Sequence, residues 1–138
     1  MVEHQFRGQH CEIELDLEPG LPMVKIDANK MKQVYLNLMM NARQAIKDRG
    51  VIRIKTRHLP EARKVHLIFW DNGIGIPPEI IDRIFDPFFS TKKTGEGTGL
   101  GLSVSYGIVK DHGGDIQVES KPGQWTRFTI ESPAEDAG

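Results

Sequence analysis

Val65-His66-Leu67-Ile68-Phe69-Trp70-Asp71-Asn72-Gly73-Ile74-Gly75-Ile76-Pro77 runs from an apolar segment straight onto a carboxylate and two glycines. Val65–Trp70 is apolar enough to be a central strand of a sheet. A carboxylate at the strand end sets an acceptor beside backbone that, at Gly73 and Gly75, can approach a flat ligand closely. A tight turn explains the same Asp-x-Gly-x-Gly almost as well. The strand is clear; its end has two readings.

Upstream, Val51–His58 alternates Ile52, Ile54 and Thr56 with Arg53, Lys55 and Arg57, as a half-buried strand does, with a turn near Pro60. Before it, Asp27 is a plausible N-cap for a helix to about Arg49, with Gly50 as its stop. Glu12–Leu17 alternates acids with Ile13, Leu15 and Leu17, and a Pro19–Pro22 turn follows. Downstream, Asn72–Gly101 is rich in glycine, proline and polar residues, with one short helix expected at Pro78–Ile84. So long an irregular stretch inside a small domain marks a functional loop or disorder. Leu102–His112 reads as a helix stopped by Gly113-Gly114, and Ile116–Ser120 and Thr126–Ile130 as strands around a Lys-Pro-Gly loop. The expected fold is α+β: a two-layer α/β sandwich with a mostly antiparallel mixed sheet of about five strands and three helices on one face. Residues 1–11 read as a flexible start, 12–132 as one domain and 133–138 as a frayed tail.

The 138 residues suffice for one core, and 18 basic against 19 acidic residues give a net charge of −1. That balance offers no electrostatic case for nucleic acid or an anionic membrane as partner. The single cysteine, Cys11, rules out an internal disulfide and reads as an unreactive, partly buried thiol. No apolar run reaches the ~18 residues of a membrane span, so a cytoplasmic location is expected, the chain being whole or the cytosolic piece of something longer.

Around the long helix, Met31, Val34, Tyr35, Leu38, Met39, Ala42, Ala45 and Ile46 form an apolar arc, and Lys32, Arg43 and Lys47 a water-facing one. Between them Gln33, Asn37 and Asn41 recur at steps of four, beside Gln44. Carboxamides can ligate a hard cation or hold water near phosphates, and they can equally border a solvated face. Two further segments carry chemistry. Phe85, Phe88 and Phe89 crowd a proline-broken loop, as a plug or as a surface for a partner helix, with Lys92 and Lys93 just beyond. Gly95, Gly97, Gly99 and Gly101 alternate into a helix, where bare N–H groups suit phosphate or the glycines make a linker. The surroundings match neither a dinucleotide fingerprint nor a Walker A loop.

In order, Asn37-Leu38-Met39-Met40-Asn41-Ala42, Asp71–Gly75, Phe85–Phe89 and Gly97–Gly101 resemble the four boxes of the GHKL-type (Bergerat) ATP-binding fold. The likeness spans about Glu12 to Ile130. The phenylalanine box resembles that of sensor histidine kinases, and Asn41–Ala45 that of the nitrogen-regulatory subclass. The resemblance implies ATP and Mg²⁺ as cofactors. Asp71 would accept the adenine amine, with Gly73, Gly75 and Ile76 beside the base. Asn41 would hold Mg²⁺, and Asn37 would sit by the phosphates. Ser90–Thr98, with Thr91 and Lys92, would form a lid, and Gly97, Thr98, Gly99, Leu100, Gly101 and Leu102 would meet the phosphates. Asn37, Asn41 and Lys92 are the expected catalytic set. Related ATPases carry a water-activating glutamate where Asn37 stands, so the resemblance implies a kinase with slow hydrolysis.

The chain departs from the family at Gln44 and Ala45, often basic and aromatic, and at Trp125-Thr126-Arg127-Phe128, usually Gly-Thr-x-Phe. None of His4, His10, His58, His66 and His112 lies in a phospho-acceptor context. The acceptor histidine is therefore expected on a separate dimerisation domain, met through Phe85, Phe88 and Phe89, with a response regulator downstream. The domain alone is expected to be a monomer that binds ATP without phosphorylating itself. An ATP/ADP sensor without transfer and a serine kinase of the anti-sigma-factor type are the competing readings.

Overall fold

The computed structural model describes residues 10–22, 24, 26–47, 49–86 and 101–134. Strands β1 (His10–Leu17), β2 (Arg49–Leu59), β3 (Lys64–Asp71), β4 (Asp115–Lys121) and β5 (Trp125–Pro133) form one sheet in the order β1-β2-β3-β5-β4. β1 runs parallel to β2, and every other pairing is antiparallel. Among the described residues two α-helices, α1 (Ala28–Ala45) and α2 (Gly101–Asp111), complete the second layer. The expected third helix is a single 3₁₀ turn, Ile81–Arg83, whose backbone bonds step three residues at a time.

Cross-strand register puts Ile13, Ile52, Phe69, Phe128 and Ile116 or their neighbours on one face. These meet Met31, Val34, Leu38, Met39, Ala42 and Ile46 of α1 and Val109 of α2 in one core. The apolar arc read from the sequence is the buried stripe, and Tyr35 packs its ring on Phe69 at 6.3 Å between centroids. The other face carries exposed ion pairs, Arg53–Glu14, Arg57–Asp16 and Arg127–Glu119, which water screens and which add little to stability.

Asp27 caps α1 as expected, its carboxylate accepting Asn29 and Lys30 N–H. The C-terminus differs. The helix stops at Ala45, not near Arg49, because Ile46 turns extended and drops its side chain into the core, leaving it 2% exposed. Gly50 is therefore no helix stop but part of β2, where a Cβ would press on Asn72 Oδ1 at 2.7 Å and Ile46 Cδ1 at 2.8 Å. At the other end β5 runs through Pro133, and Ala134 N–H bonds the Arg63 carbonyl, so the sheet reaches into the segment read as tail.

His112, just past α2, links the two helices. Nδ1 lies 2.7 Å from the Ile108 carbonyl, which only accepts, and Nε2 lies 3.0 Å from the Asp27 N–H, which only donates. Both bonds together require a neutral ring with its proton on Nδ1. His112→Phe keeps the ring's bulk and removes both bonds. It is expected to cost about 1 kcal/mol of unfolding free energy, or a few degrees in Tm, read by thermal melts.

Candidate nucleotide site

The residues singled out in the sequence gather along α1. At its middle, Asn37 Nδ2 donates to the Gly101 carbonyl at 3.0 Å and to Ser105 Oγ at 3.1 Å. Ser105, fully buried, hands its own proton to the same carbonyl. Both amide hydrogens of Asn37 are thus engaged in holding the first turn of α2, and only Oδ1 is left to accept. Leu102, the next residue of that turn, packs against the core. One turn along, Asn41 is half-buried beside the solvated edge of α1.

At the C-terminal end of α1 lies the segment after β3. Asp71 is 3% exposed, and its Oδ1 accepts the Gly73 N–H at 2.9 Å. Ile74 N–H bonds the Ala45 carbonyl, so the loop rests directly on the helix end. A Cβ at Gly73 would meet that carbonyl oxygen at 2.5 Å. On its far side the loop rests on the β4–β5 hairpin. Gly123 N–H bonds Ile74 O at 2.6 Å, Ile76 N–H bonds Ser120 Oγ at 2.7 Å, and a Cβ at Gly75 would strike Lys121 O at 2.7 Å. Gly75 also has φ +74°. Absence of side chains at both glycines thus serves the close approach of helix and hairpin. Ile76 packs against the core, whereas Ile74 is 50% exposed.

Burial pushes the Asp71 carboxyl up from 3.8 to about 6, against the lowering effect of the Gly73 hydrogen bond. Because the folded-state value lies above the unfolded one, the folded chain binds the proton more tightly between them. Its contribution to stability is complete below pH 3.8 and is lost as pH rises through about 6. Asp16, Asp115 and Glu131, lowered by Arg57, by Lys110 and by His66 with Lys64, slope the other way. The Asp71 part is therefore read as the difference in unfolding free energy between Asp71→Asn and the wild type. That difference is expected to grow with pH, levelling above pH 7 about 2.5 kcal/mol higher than at pH 4, measured by urea unfolding across that range.

One sequence reading changes here. Arg43 belongs to the side of α1 next to Cys11 rather than to open water. Its Nε is buried without a hydrogen-bond partner among the described residues, and its charge acts on the Cys11 thiol. Burial raises that thiol, in keeping with an unreactive cysteine. Phe85 is partly buried, its ring 6.2 Å from Phe128 and 5.3 Å from Tyr106 between centroids. Phe88, Phe89, Thr91, Lys92, Gly97, Thr98, Gly99 and Leu100 lie outside the described residues. Sequence reasoning missed Ser120 and Thr126. Thr126, 3% exposed, pairs with Asp71 across the sheet and lies 3.2 Å from Ser120 through its hydroxyl. Only register links them to Asp71, so no local pattern marks them.

No group of three or more His, Cys, Asp or Glu side chains suited to a metal occurs among the described residues. No described helix is long and apolar enough to cross a membrane.

Comparison with known proteins agrees with this arrangement. Residues 26–136 match the family described as histidine kinase-, DNA gyrase B-, and HSP90-like ATPase. The chain is 44% identical over its whole length to the signal transduction histidine-protein kinase AtoS of Escherichia coli, of which it covers 22%. It is 40% identical over 88% of its length to the sensory histidine kinase/phosphatase NtrB of Vibrio alginolyticus, covering 37% of that protein. It thus spans a minor part of these curated relatives. Among solved structures it is similar to a nucleotide-free form of the catalytic domain of histidine kinase ThkA, with TM-score 0.82 and 34% identity over 96% of this chain and 86% of that one. The chain belongs to the histidine kinase-, DNA gyrase B- and HSP90-like ATPases, and within them to the catalytic domains of sensor histidine kinases.

Proposed function

We propose that the chain binds Mg²⁺-ATP and passes the γ-phosphoryl group to a histidine imidazole on a separate dimerisation and phospho-acceptor domain, which serves a response regulator, in the cytoplasm. The observation that carries this reading is Asp71, a buried carboxylate with one oxygen on Gly73 N–H and its proton affinity raised by burial. Such a group wants a donor, and the exocyclic amine of adenine supplies one. From Asn37, beside the first turn of α2, to Ala45, under the Asp71 loop, α1 runs about 12 Å. That length suits an extended nucleoside triphosphate, base at one end and phosphates at the other.

Asn41 would hold Mg²⁺ through its carboxamide oxygen, a hard donor of the kind this ion accepts, and the ion would offset phosphate charge. The rest falls to the chain itself. Asp71 orients the base, and the N-terminal amides of α2 from Gly101 and Leu102 favour an anion. Asn37 cannot remove a proton from water, so hydrolysis is slow and the phosphoryl group waits for an imidazole. Thr91, Lys92 and Gly97–Leu100 would complete the phosphate contacts, and Phe88 and Phe89 the acceptor-domain contact. As a single domain the chain is a monomer on this reading.

Calorimetric titration of ATP and ADP with and without Mg²⁺, with phosphate release followed in the same tubes, tests the binding half. Saturable binding with little phosphate released is expected. Absent binding sinks the proposal, and rapid release overturns the role given to Asn37. Transfer of labelled phosphate to an added acceptor-histidine domain tests the other half. An acid-labile phosphate is expected; tight binding without transfer would instead indicate a nucleotide sensor, and an acid-stable product a serine kinase.

A further inference from the structure

We infer that Ser120 of β4 is a positioning residue for the nucleotide site, setting the loop that carries Asp71 through the backbone N–H of Ile76. This inference rests on the nucleotide reading above and adds a residue to it from outside the four boxes.

The geometry is specific. Ser120 Oγ lies 2.8 Å from the Trp125 carbonyl, which can only accept, so the hydroxyl proton is committed there. That leaves the oxygen lone pairs to accept, and the Ile76 N–H points at them from 2.7 Å. The hydroxyl of Thr126, at 3.2 Å, donates to the same oxygen. Ser120 therefore joins three strands' worth of structure at one atom: its own β4, the start of β5, and the loop leaving β3. Around it, Gly123 N–H holds Ile74 O, and Gly75 packs on Lys121. Thr126 sits opposite Asp71 in the β3–β5 ladder, so the hairpin grips the loop at Ile74 and Ile76 and the strand behind it at Asp71.

On the α1 side the loop has, among the described residues, a single backbone bond, from Ile74 to Ala45. Without the Ser120 oxygen, the Ile76 N–H loses its acceptor, and among the described contacts the loop keeps backbone bonds only at Asn72, to Val51, and at Ile74, to Ala45 and Gly123. Asp71 and Gly73 then sample positions in which the carboxylate no longer meets the adenine amine squarely. The loss falls on the base, not on the phosphates.

Adenosine and ATP titrated into wild type, Ser120→Ala and Ser120→Thr, with hydrogen exchange at the Ile76 amide, test this. Ser120→Ala is expected to weaken adenosine and ATP by the same factor, about tenfold for one partly buried hydrogen bond. Ile76 exchange should quicken in that variant. Ser120→Thr, which keeps the hydroxyl, is expected to restore both affinity and protection. Unchanged affinity in Ser120→Ala, a loss for ATP but not adenosine, or a loss that threonine does not recover overturns the inference alone. A wild type that binds neither adenosine nor ATP overturns the nucleotide reading and this inference with it.

Discussion

Asp71→Asn is expected to weaken ATP binding at least about a hundredfold while making the protein more stable at neutral pH. The two effects share one cause. In the wild type Oδ1 is occupied by the Gly73 N–H, and the second oxygen is left for a donor from the ligand. Asparagine has one oxygen. If it faces Gly73, its NH₂ meets the adenine amine, donor against donor; if it flips, the NH₂ meets the Gly73 N–H. Loss of a charge-assisted bond with an unpaired donor left behind is worth about 3 kcal/mol or more, hence the hundredfold. Without nucleotide the same change removes a buried charge whose carboxyl stands at about 6, which above pH 7 is worth about 2–3 kcal/mol of stability. Calorimetry and urea unfolding on one preparation read both numbers. A variant that loses binding and stability together would assign Asp71 a structural role.

Gly75→Ala is expected to destabilise the domain strongly. Its φ of +74° is disfavoured for any residue with a Cβ, by about 1–2 kcal/mol. The added carbon would also lie 2.7 Å from Lys121 O and 2.9 Å from Pro122 Cα, backbone atoms that no rotamer change moves away. Relief requires the loop and the hairpin to part, which breaks Gly123 N–H to Ile74 O and Ile76 N–H to Ser120 Oγ. The sum is about 3–4 kcal/mol, with nucleotide affinity falling in parallel. Gly107→Ala is the control. It lies in α2 with nothing within 4 Å of its Cβ, and is expected to stabilise by about 0.5–1 kcal/mol. Chemical denaturation of the pair checks both signs; a Gly75→Ala protein as stable as wild type would mean that the hairpin does not press on the loop.

The elements that the sequence disclosed are those with a periodic signal. Alternation at Val51–His58 and the 3.6-residue arc of Met31 to Ile46 report directly which side faces the core, and both hold in the structure. The end of α1 is not legible in the sequence because Gly50 has the identity of a stop signal, whereas the core's demand for the Ile46 side chain ends the helix four residues sooner. A helical projection likewise put Arg43 in water because it cannot see β1 alongside the last turn. Asp71 and Asn37 were found from ordered motifs, but the bond from Asn37 to Gly101 spans 64 residues, and that from Ile76 to Ser120 spans 44. Such contacts depend on strand order β3-β5-β4, which no local run of residues encodes.

The β3–β5 ladder has a consequence for the order of assembly. β2 and β3 zip from a short turn, Leu59 opposite Lys64, whereas Asp71 meets Thr126 only after 55 residues of chain have been gathered in. Closing the longer loop costs roughly 2 kcal/mol more in chain entropy than closing the hairpin, so it belongs late on the folding path. The rests for the Asp71 loop on the β4–β5 side arrive with it. A ligand that needs the finished loop has nothing to hold in the folding transition state. Nucleotide would therefore act as a brake on unfolding and leave the folding rate to topology, so that its protection is kinetic persistence of the assembled domain rather than help in reaching it.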